Sequence, residues 1–342
     1  MRILGCGGAG YIGSHLVKYV LEKGHQVVVI DNLSTGHGQA VAGIEFHQAD
    51  VGDEGWLSSF LSSHHFDLVM HFCAYSLVGE SVEQPEKYFQ NNVGNTLTLL
   101  KVMRATGHDR LVFSSTAAIY GEPEANIISE SHPKQPINPY GRSKWMVEQI
   151  LQDYAKAYGL RSVSLRYFNA AGADPSAAIG EKHNPETHLI PNILKSVASG
   201  GSLILKLFGN NYPTPDGSCV RDYIHVNDLA SAHLLAGEYL LDADTAEMPV
   251  KAYAFNLGVG KGFSVLEVIE AASKVTGQNI TYEICDRRPG DPAVLVADPA
   301  QAREVLGWKP EYTEIESIIE TAWQWHKGGE KFKNYGYGYR GH

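Results

Sequence analysis

The chain predicts an α/β fold, a doubly wound parallel sheet followed by a smaller second domain. Three observations carry that expectation. Apolar, β-rich runs alternate with stretches of helical period through the first half. A glycine-rich turn sits at the first of those junctions. Near residue 169 the texture changes, and glycine, proline and asparagine become frequent. Alternating strands and helices with buried strands imply a parallel sheet covered by helices on both faces. At ~150 residues per domain, the 342 residues suggest two domains. We expect them at 1–168 and 169–342, with part of 221–262 returning to the first.

The expected strands are 2–5, 26–30, 44–47, 68–72, 110–114 and 162–166. Helical stretches lie between most of them, among them 11–23 and 88–106. A further helix begins after Asn138-Pro139 and runs to Tyr158. Beyond residue 169 elements shorten, and 221–241 and 263–276 read as helical in their later parts. The segment 336–339 reads as a frayed tail.

Composition narrows the function. The formal charge is −10, which argues against a nucleic-acid backbone as partner. An anionic ligand must then be held locally, by backbone amides or a few placed arginines. Cys6, Cys73, Cys219 and Cys285 form no C-x-x-C pair and suggest buried free thiols. No H-E-x-x-H occurs, and no metal is expected. The chain runs from Met1 straight into a first strand, leaving no room for an apolar targeting region. No apolar run reaches ~18 residues, so no membrane span is expected. The cytoplasm is the default compartment.

The turn Gly5-Cys6-Gly7-Gly8-Ala9-Gly10-Tyr11-Ile12-Gly13 joins the first strand to the first helix. It satisfies G-x-G-x-x-G at 8, 10 and 13, and G-x-x-G-x-x-G at 7, 10 and 13. Glycine permits the tight turn and lets backbone N–H groups approach a pyrophosphate, and the helix N-terminus adds partial positive charge. The second strand ends in Asp31, placed for the adenosine ribose hydroxyls. Its carboxylate would repel a 2′-phosphate, and no Lys or Arg occurs from residue 32 to 54. We therefore expect NAD rather than NADP in a Rossmann-type domain. A turn residue capping the strand is the plain alternative for Asp31. Asp50-Val51 and Phe72-Cys73-Ala74 close the third and fourth strands, at carboxyl ends where ligands bind in such sheets.

Tyr140 and Lys144 are four apart and share one helical face. A phenol is a poor base because its ordinary pKa is ~10. A nearby ammonium or an oxidised nicotinamide stabilises the phenolate and brings it toward working pH. The fifth strand delivers Ser114, Ser115 and Thr116 to the same edge. One hydroxyl can bridge a sugar to Tyr140, while others satisfy local backbone amides.

The glycine loop, Asp31-Asn32, the Ser-Ser-Thr-Ala-Ala-Ile-Tyr-Gly run at 114–121 and Tyr140…Lys144 resemble the extended short-chain dehydrogenase/reductase superfamily. His71-Phe72-Cys73-Ala74, Val78-Gly79-Glu80-Ser81, Asn91-Asn92-Val93, Leu165-Arg166-Tyr167-Phe168-Asn169, Phe208-Gly209-Asn210, the run 220–226 and Arg288-Pro289-Gly290-Asp291 narrow it. In family order to about residue 326, they resemble the UDP-glucose 4-epimerases.

The resemblance implies that Tyr140 is the base, tuned by Lys144, and that Thr116 shuttles the proton of the sugar 4-hydroxyl. It implies that Gly7, Gly10, Tyr11, Ile12, Gly13, Asp31, Asn32, Asp50, Val51, Phe72, Cys73, Ala74, Asn92, Ser114, Tyr140, Lys144 and Tyr167 hold NAD. Asn169, His188, Leu189, Phe208, Arg221, Tyr223, Arg288 and Asp291, with Thr116 and Tyr140, would hold a UDP-sugar. Arginine forks suit phosphate oxygens, although Arg221-Asp222 also reads as a surface ion pair. The implied chemistry removes hydride at C4, turns the keto sugar about its diphosphate and returns hydride to the other face. A homodimer through 88–106 and 139–158 is implied as well.

Three positions depart from the commonest pattern. Cys6 replaces threonine, Ser76 replaces a lysine of some members, and Leu295 replaces a tyrosine that lies against the hexose. The shorter Leu295 suggests room for a 2-acetamido sugar. A nucleotide-sugar dehydratase or decarboxylase is the nearest rival, but Ala117-Ala118 occupy positions where dehydratases carry Asp-Glu. Epimerases of UDP-xylose or UDP-glucuronate are harder to set aside. A non-catalytic NAD-binding regulator could dispense with Tyr140 and Lys144, and this chain has both.

Overall fold

Five β-rich runs open the chain, and each forms a strand: β1 (Arg2–Cys6), β2 (Gln26–Asp31), β3 (Glu45–Gln48), β4 (Leu68–His71) and β5 (Arg110–Thr116). The strands Arg161–Tyr167 and Ala252–Leu257 complete a seven-stranded sheet. Its order is β3, β2, β1, β4, β5, Arg161–Tyr167, Ala252–Leu257, with every neighbouring pair parallel. The computed structural model describes residues 1–200, 203–242, 252–288 and 291–333. The segment 336–339 lies outside them.

Parallel strands are covered on both faces and so read as unbroken apolar runs. Leu68, Val69 and Met70 of β4 are all buried. Helix α1 (Tyr11–Glu22) buries Gly13, Leu16, Val17 and Val20, one stripe at helical spacing. It packs on one face of the sheet beside the helix Val226–Asp242, in a core shared with Ile3, Val29 and Leu165. Helix α2 (Glu54–Ser63), capped by the Asp53 carboxylate accepting from Trp56 N at 3.0 Å, covers the other face. Leu57 and Leu61 join Leu99, Met103, Val147 and Leu151 there. The direction of winding changes between β1 and β4, and a crevice at such a switch lies at the strands' carboxyl ends.

The stretch expected as one helix over 88–106 is divided. Pro85–Tyr88 and Thr96–Ala105 are α-helical, and Phe89–Asn95 between them is a π-helix. Such bulges are frequent at functional sites. Here the bulge contains Asn92, whose buried amide reaches outside its own helix.

The helix Pro139–Tyr158 has its expected bounds. Asn138 Oδ1 accepts from Gly141 N at 2.8 Å, Pro139 takes the first turn, and Gly159 ends it with a left-handed φ of 77°. Ser143, Lys144, Val147, Glu148 and Leu151 face inward.

The sequence reading did not include the strand Ala252–Leu257, which pairs with Arg161–Tyr167. The later half adds its own core from the helices Leu189–Ala198, Val265–Thr276 and Ile315–Lys327. A small four-stranded sheet joins Phe263–Ser264, Val220–Arg221, Val294–Ala297 and Ile127–Ile128. Among the described residues no helix is long and apolar enough to cross a membrane.

Candidate active site

The glycine loop closes tightly on β4. Gly7 has φ +80°, and a Cβ there would lie 2.8 Å from Cys73 N and Phe72 C. A Cβ on Gly13 would lie 2.4 Å from Gly7 O. Only hydrogen fits at both places, which lets α1 start directly against the turn with Gly10 at its N-cap. Tyr11 and Ile12 begin the helix, and the Tyr11 hydroxyl donates to Gly172 O at 2.6 Å.

Asp31 at the end of β2 is buried. Its carboxylate accepts from Ala9 N at 2.9 Å and Leu33 N at 2.8 Å. Burial pushes its pKa up against those two N–H groups. The carboxylate therefore fixes the glycine loop as well as marking the strand end. Asn32 Nδ2 donates to Asp50 Oδ2 at 2.7 Å, tying the loops after β2 and β3. Asp50 and buried Val51 follow β3 rather than ending it, and Phe72, Cys73 and Ala74 likewise follow β4.

Phe72 N donates to Cys6 O at 2.7 Å. Asn92 accepts from Tyr75 N and donates to Tyr75 O and Ser143 Oγ, each at 3.0 Å. It thus pins the loop after β4 to the helix that carries Tyr140. The departure at Cys6 is a buried thiol, raised to about 12 by burial and by Asp31. Ser76 is exposed.

Tyr140, half-buried, opens its helix facing the carboxyl end of β5. Burial pushes its phenol up, and the Thr116 hydroxyl facing it acts in the opposite direction. Thr116 Oγ1 also accepts from Ala118 N at 3.1 Å, so it serves a local turn while facing Tyr140. One turn further on, buried Lys144 donates from Nζ to Ser114 O at 2.7 Å. Burial drives its pKa down to about 7, against Cys73 and Glu148, which raise it. Ser114 Oγ and the Tyr167 hydroxyl are buried beside this group without a hydrogen-bond partner of normal geometry. The Ser114 hydroxyl faces that of Tyr167, and buried hydroxyls at a strand-end crevice, with the glycine cradle, fit a dinucleotide.

The substrate candidates gather from several segments. Asn169 and Tyr223 are register partners in a short parallel pair. Arg221 is buried, and its guanidinium binds the Asp291 carboxylate and Val220 O. The surface pair with Asp222 does not form. Asp222 instead accepts from Val259 N, Gly260 N and Ala297 N at 2.8–3.1 Å. Arg288 lies over the Phe208 ring at 4.1 Å, while its neighbours 289 and 290 are outside the described residues. Leu295 is the register partner of Arg221. It packs against the cluster of Ala117, Ile119, Tyr120 and Ile128, which Phe168 and Trp145 also border, and so links the arginine strand to the segment that follows the hydroxyl strand. His188 stands at the N-cap position of the helix Leu189–Ala198 without a capping hydrogen bond, and its Nδ1 is bound to Glu181.

Sequence reasoning missed Glu148 and gave Arg166 no role. Ser115 Oγ donates to Glu148 Oε1 at 2.5 Å, and Arg166 grips the same carboxylate, at 2.6 Å for its closest contact. Arg166 also donates to the Tyr120 hydroxyl at 3.0 Å. Positions 140, 144 and 148 repeat at one helical turn, and that spacing was the available signal.

A seven-stranded parallel sheet with a glycine cradle at its switch point, and a tyrosine and lysine one turn apart at its rim, defines a dinucleotide-dependent enzyme of the short-chain dehydrogenase/reductase kind. Residues 4–321 match a family model described as GDP-mannose 4,6 dehydratase. A UDP-glucose 4-epimerase of Halalkalibacterium halodurans is 52% identical over 327 residues, 96% of each chain. A structure of UDP-glucose 4-epimerase from Brucella ovis in complex with NAD is 47% identical, with TM-score 0.89, over 94% of this chain and 97% of that one. The UDP-Glc/GlcNAc 4-epimerase of Campylobacter jejuni is 41% identical, with TM-score 0.81, over 96% and 99%. The chain belongs to the UDP-glucose 4-epimerase family.

Proposed function

We propose that this chain interconverts UDP-glucose and UDP-galactose by transient oxidation at sugar C4, with NAD as its resident cofactor. The observation that carries the reading is the Tyr140–Thr116 pair, set beside the buried Ser114 and Tyr167 hydroxyls, which face each other at the end of the central strands. Bound NAD would supply a reversible hydride acceptor. Tyr140 takes the C4 hydroxyl proton through or beside Thr116 and gives it back on the return. Lys144, anchored on Ser114 O, places positive charge one turn from the phenol. Arg221 and Arg288 hold the diphosphate, Asp291 the ribose and Phe208 the uracil. The hexose is left free to present its other face.

NAD rather than NADP agrees with Asp31. Its buried carboxylate would oppose a 2′-phosphate. Ala117 and Ala118 offer no acid–base pair for dehydration, although the matching family model carries a dehydratase description. Leu295 favours a second activity, on UDP-N-acetylglucosamine, at the same site, and the Campylobacter jejuni relative is described for both sugars.

We further propose a homodimer through the stretch 88–106 and the helix Pro139–Tyr158. Leu97 on the first and Met146 and Tyr158 on the second are exposed apolar side chains, and exposed apolar patches mark association surfaces. Sedimentation of the intact protein reads the oligomer directly.

The test incubates the enzyme separately with UDP-galactose, UDP-xylose and UDP-N-acetylglucosamine and analyses the sugar of each nucleotide product. UDP-galactose yielding a mixture with UDP-glucose is expected. No conversion of UDP-galactose, with NAD bound, would overturn the reading.

A further inference from the structure

The loop between Gly180 and Leu189 holds four side chains that the epimerase chemistry does not use as a set. They are Glu181, His183, Glu186 and His188. One ligand atom from each lies within 4.8 Å of all the others. His183 Nδ1 is 3.0 Å from Glu181 Oε1, and His188 Nδ1 is hydrogen-bonded to the same oxygen. Both imidazoles also stand 3.9 Å from Glu186 Oε1. Two imidazoles and two carboxylates therefore turn their donor atoms toward one point.

A tetrahedral zinc ion bound at ~2.0–2.2 Å by N and O ligands requires donor atoms about 3.3–3.5 Å apart. The observed spacings fall on either side of that value, so small rotations of the imidazoles would close the shell. Charge points the same way. The Glu181 and Glu186 side chains are only 4% and 5% exposed. Glu186 Oε2 is buried with no hydrogen-bond partner, and the ammonium of Lys195 stands off at 3.8 Å. Buried carboxylates need a compensating charge, and a divalent cation between neutral imidazoles supplies one.

The loop is held in place. Trp325 Nε1 donates to Glu181 O at 2.9 Å, and a Cβ on Gly180 would strike the Trp325 ring at 2.4 Å. Glu186 Oε1 accepts from Thr187 N and His188 N at 2.9 and 3.0 Å. The first pair of contacts fixes the backbone at Gly180–Glu181, and the two N–H groups fix the Glu186 carboxylate; fixing a ligand's orientation is the work of outer-shell partners at metal sites.

We propose that Glu181, His183, Glu186 and His188 form a binding site for a divalent cation of the zinc class. Mixed imidazole–carboxylate donors select such ions over magnesium or calcium. Four protein ligands leave no open position, so the site is structural rather than catalytic. It ties the helix bearing His188 and Leu189 to the glycine-loop side, where the His183 ring meets Tyr11 edge-on at 6.1 Å. Sequence reasoning expected no metal because it looked for H-E-x-x-H. The spacing here is E-x-H-x-x-E-x-H, spread over a loop.

The test uses the full-length, tag-free protein. It is loaded with zinc, dialysed against metal-free buffer and analysed for metal, beside Glu186→Gln and His183→Ala. Near-UV circular dichroism reports whether each variant is folded. About one zinc per chain in the wild type is expected, falling to about one-tenth or less in either folded variant. Cobalt in place of zinc should give the intense visible bands of a tetrahedral site. Wild-type protein that retains no zinc after dialysis would overturn the proposal. Equal retention by a folded variant would overturn it too, because the metal would then sit elsewhere.

Discussion

Lys144 Nζ donates to the Ser114 carbonyl at 2.7 Å, so the ammonium that serves Tyr140 is anchored to the end of β5. The same contact holds a charge in a place where little else solvates it.

The first prediction concerns the cost of that burial. The Lys144 pKa is lowered to about 7, chiefly by burial, whereas an unfolded lysine titrates at ~10.4. Below about pH 7 both states are protonated, and the full penalty of burying the charge applies. Between the two pKa values the unfolded chain binds more protons, so this group's contribution to stability rises with pH. Lys144→Met removes the penalty and loses one hydrogen bond of about 1 kcal/mol. In dinucleotide-free protein the variant should be more stable at pH 7 by about 1–3 kcal/mol, with the gain vanishing toward pH 10. Epimerase turnover should fall sharply. Urea midpoints at several pH values decide it, and a less stable variant at pH 7 would show the ammonium to be well solvated.

The second concerns the phenol. Tyr140→Phe deletes the proton-transfer group and keeps the ring, so turnover should drop at least ~10²-fold while bound nicotinamide is retained. Turnover is followed with UDP-galactose, and the cofactor by its release on denaturation. A Phe variant close to wild type in rate would exclude Tyr140 as the base.

How much of this was readable beforehand divides by range. The glycine loop, Asp31, Tyr140 and Lys144 are local patterns, and local spacing translates directly into a turn or a helix face. The π-helical stretch at Phe89–Asn95 was not readable, because hydrophobic period does not encode a shift from i→i+4 to i→i+5 bonding. The pairing of Ala252–Leu257 with Arg161–Tyr167 bridges residues far apart in the chain, and no short run specifies its partner strand. The same holds for Arg221. Asp222 adjoins it in sequence, but alternate residues of a strand point to opposite faces. The arginine turns to Asp291, and Asp222 turns to three backbone N–H groups. Non-local pairing hid the Glu148–Arg166 pair in the same way.

That pair gives the third prediction. Arg166 and Glu148 are almost wholly buried, with a closest contact of 2.6 Å. Removing one member of such a pair leaves the other charge uncompensated, at about 3–5 kcal/mol. Glu148→Gln should destabilise by that order, read as a lower urea midpoint with an unchanged m-value. It also replaces one of the two acceptor oxygens with an NH2 donor, so Ser115 and Arg166 must share the oxygen that remains; Ser115 lies next to Ser114 and Thr116, so turnover should fall in the fraction that remains folded. A midpoint within experimental scatter of wild type would show that the guanidinium finds other partners.

The fourth prediction tests what the hexose pocket admits. Leu295 is the register partner of Arg221 and packs against the Ala117–Ile119–Tyr120–Ile128 cluster that follows the hydroxyl strand end. Tyrosine at this position adds a ring and a hydroxyl to a wall that leucine leaves short. A pocket discriminates sugars by the space it denies the larger one, and a few heavy atoms of steric conflict are worth about 1–3 kcal/mol. Leu295→Tyr should therefore lower kcat/KM for UDP-N-acetylglucosamine by about 10–100-fold, with kcat/KM for UDP-galactose changed far less. The ratio of the two within one variant separates lost space from general damage, which would lower both together. Wild-type protein that turns over UDP-galactose but leaves UDP-N-acetylglucosamine untouched would refute the premise before any variant is made, because the room beside Leu295 would then be closed by some other side chain.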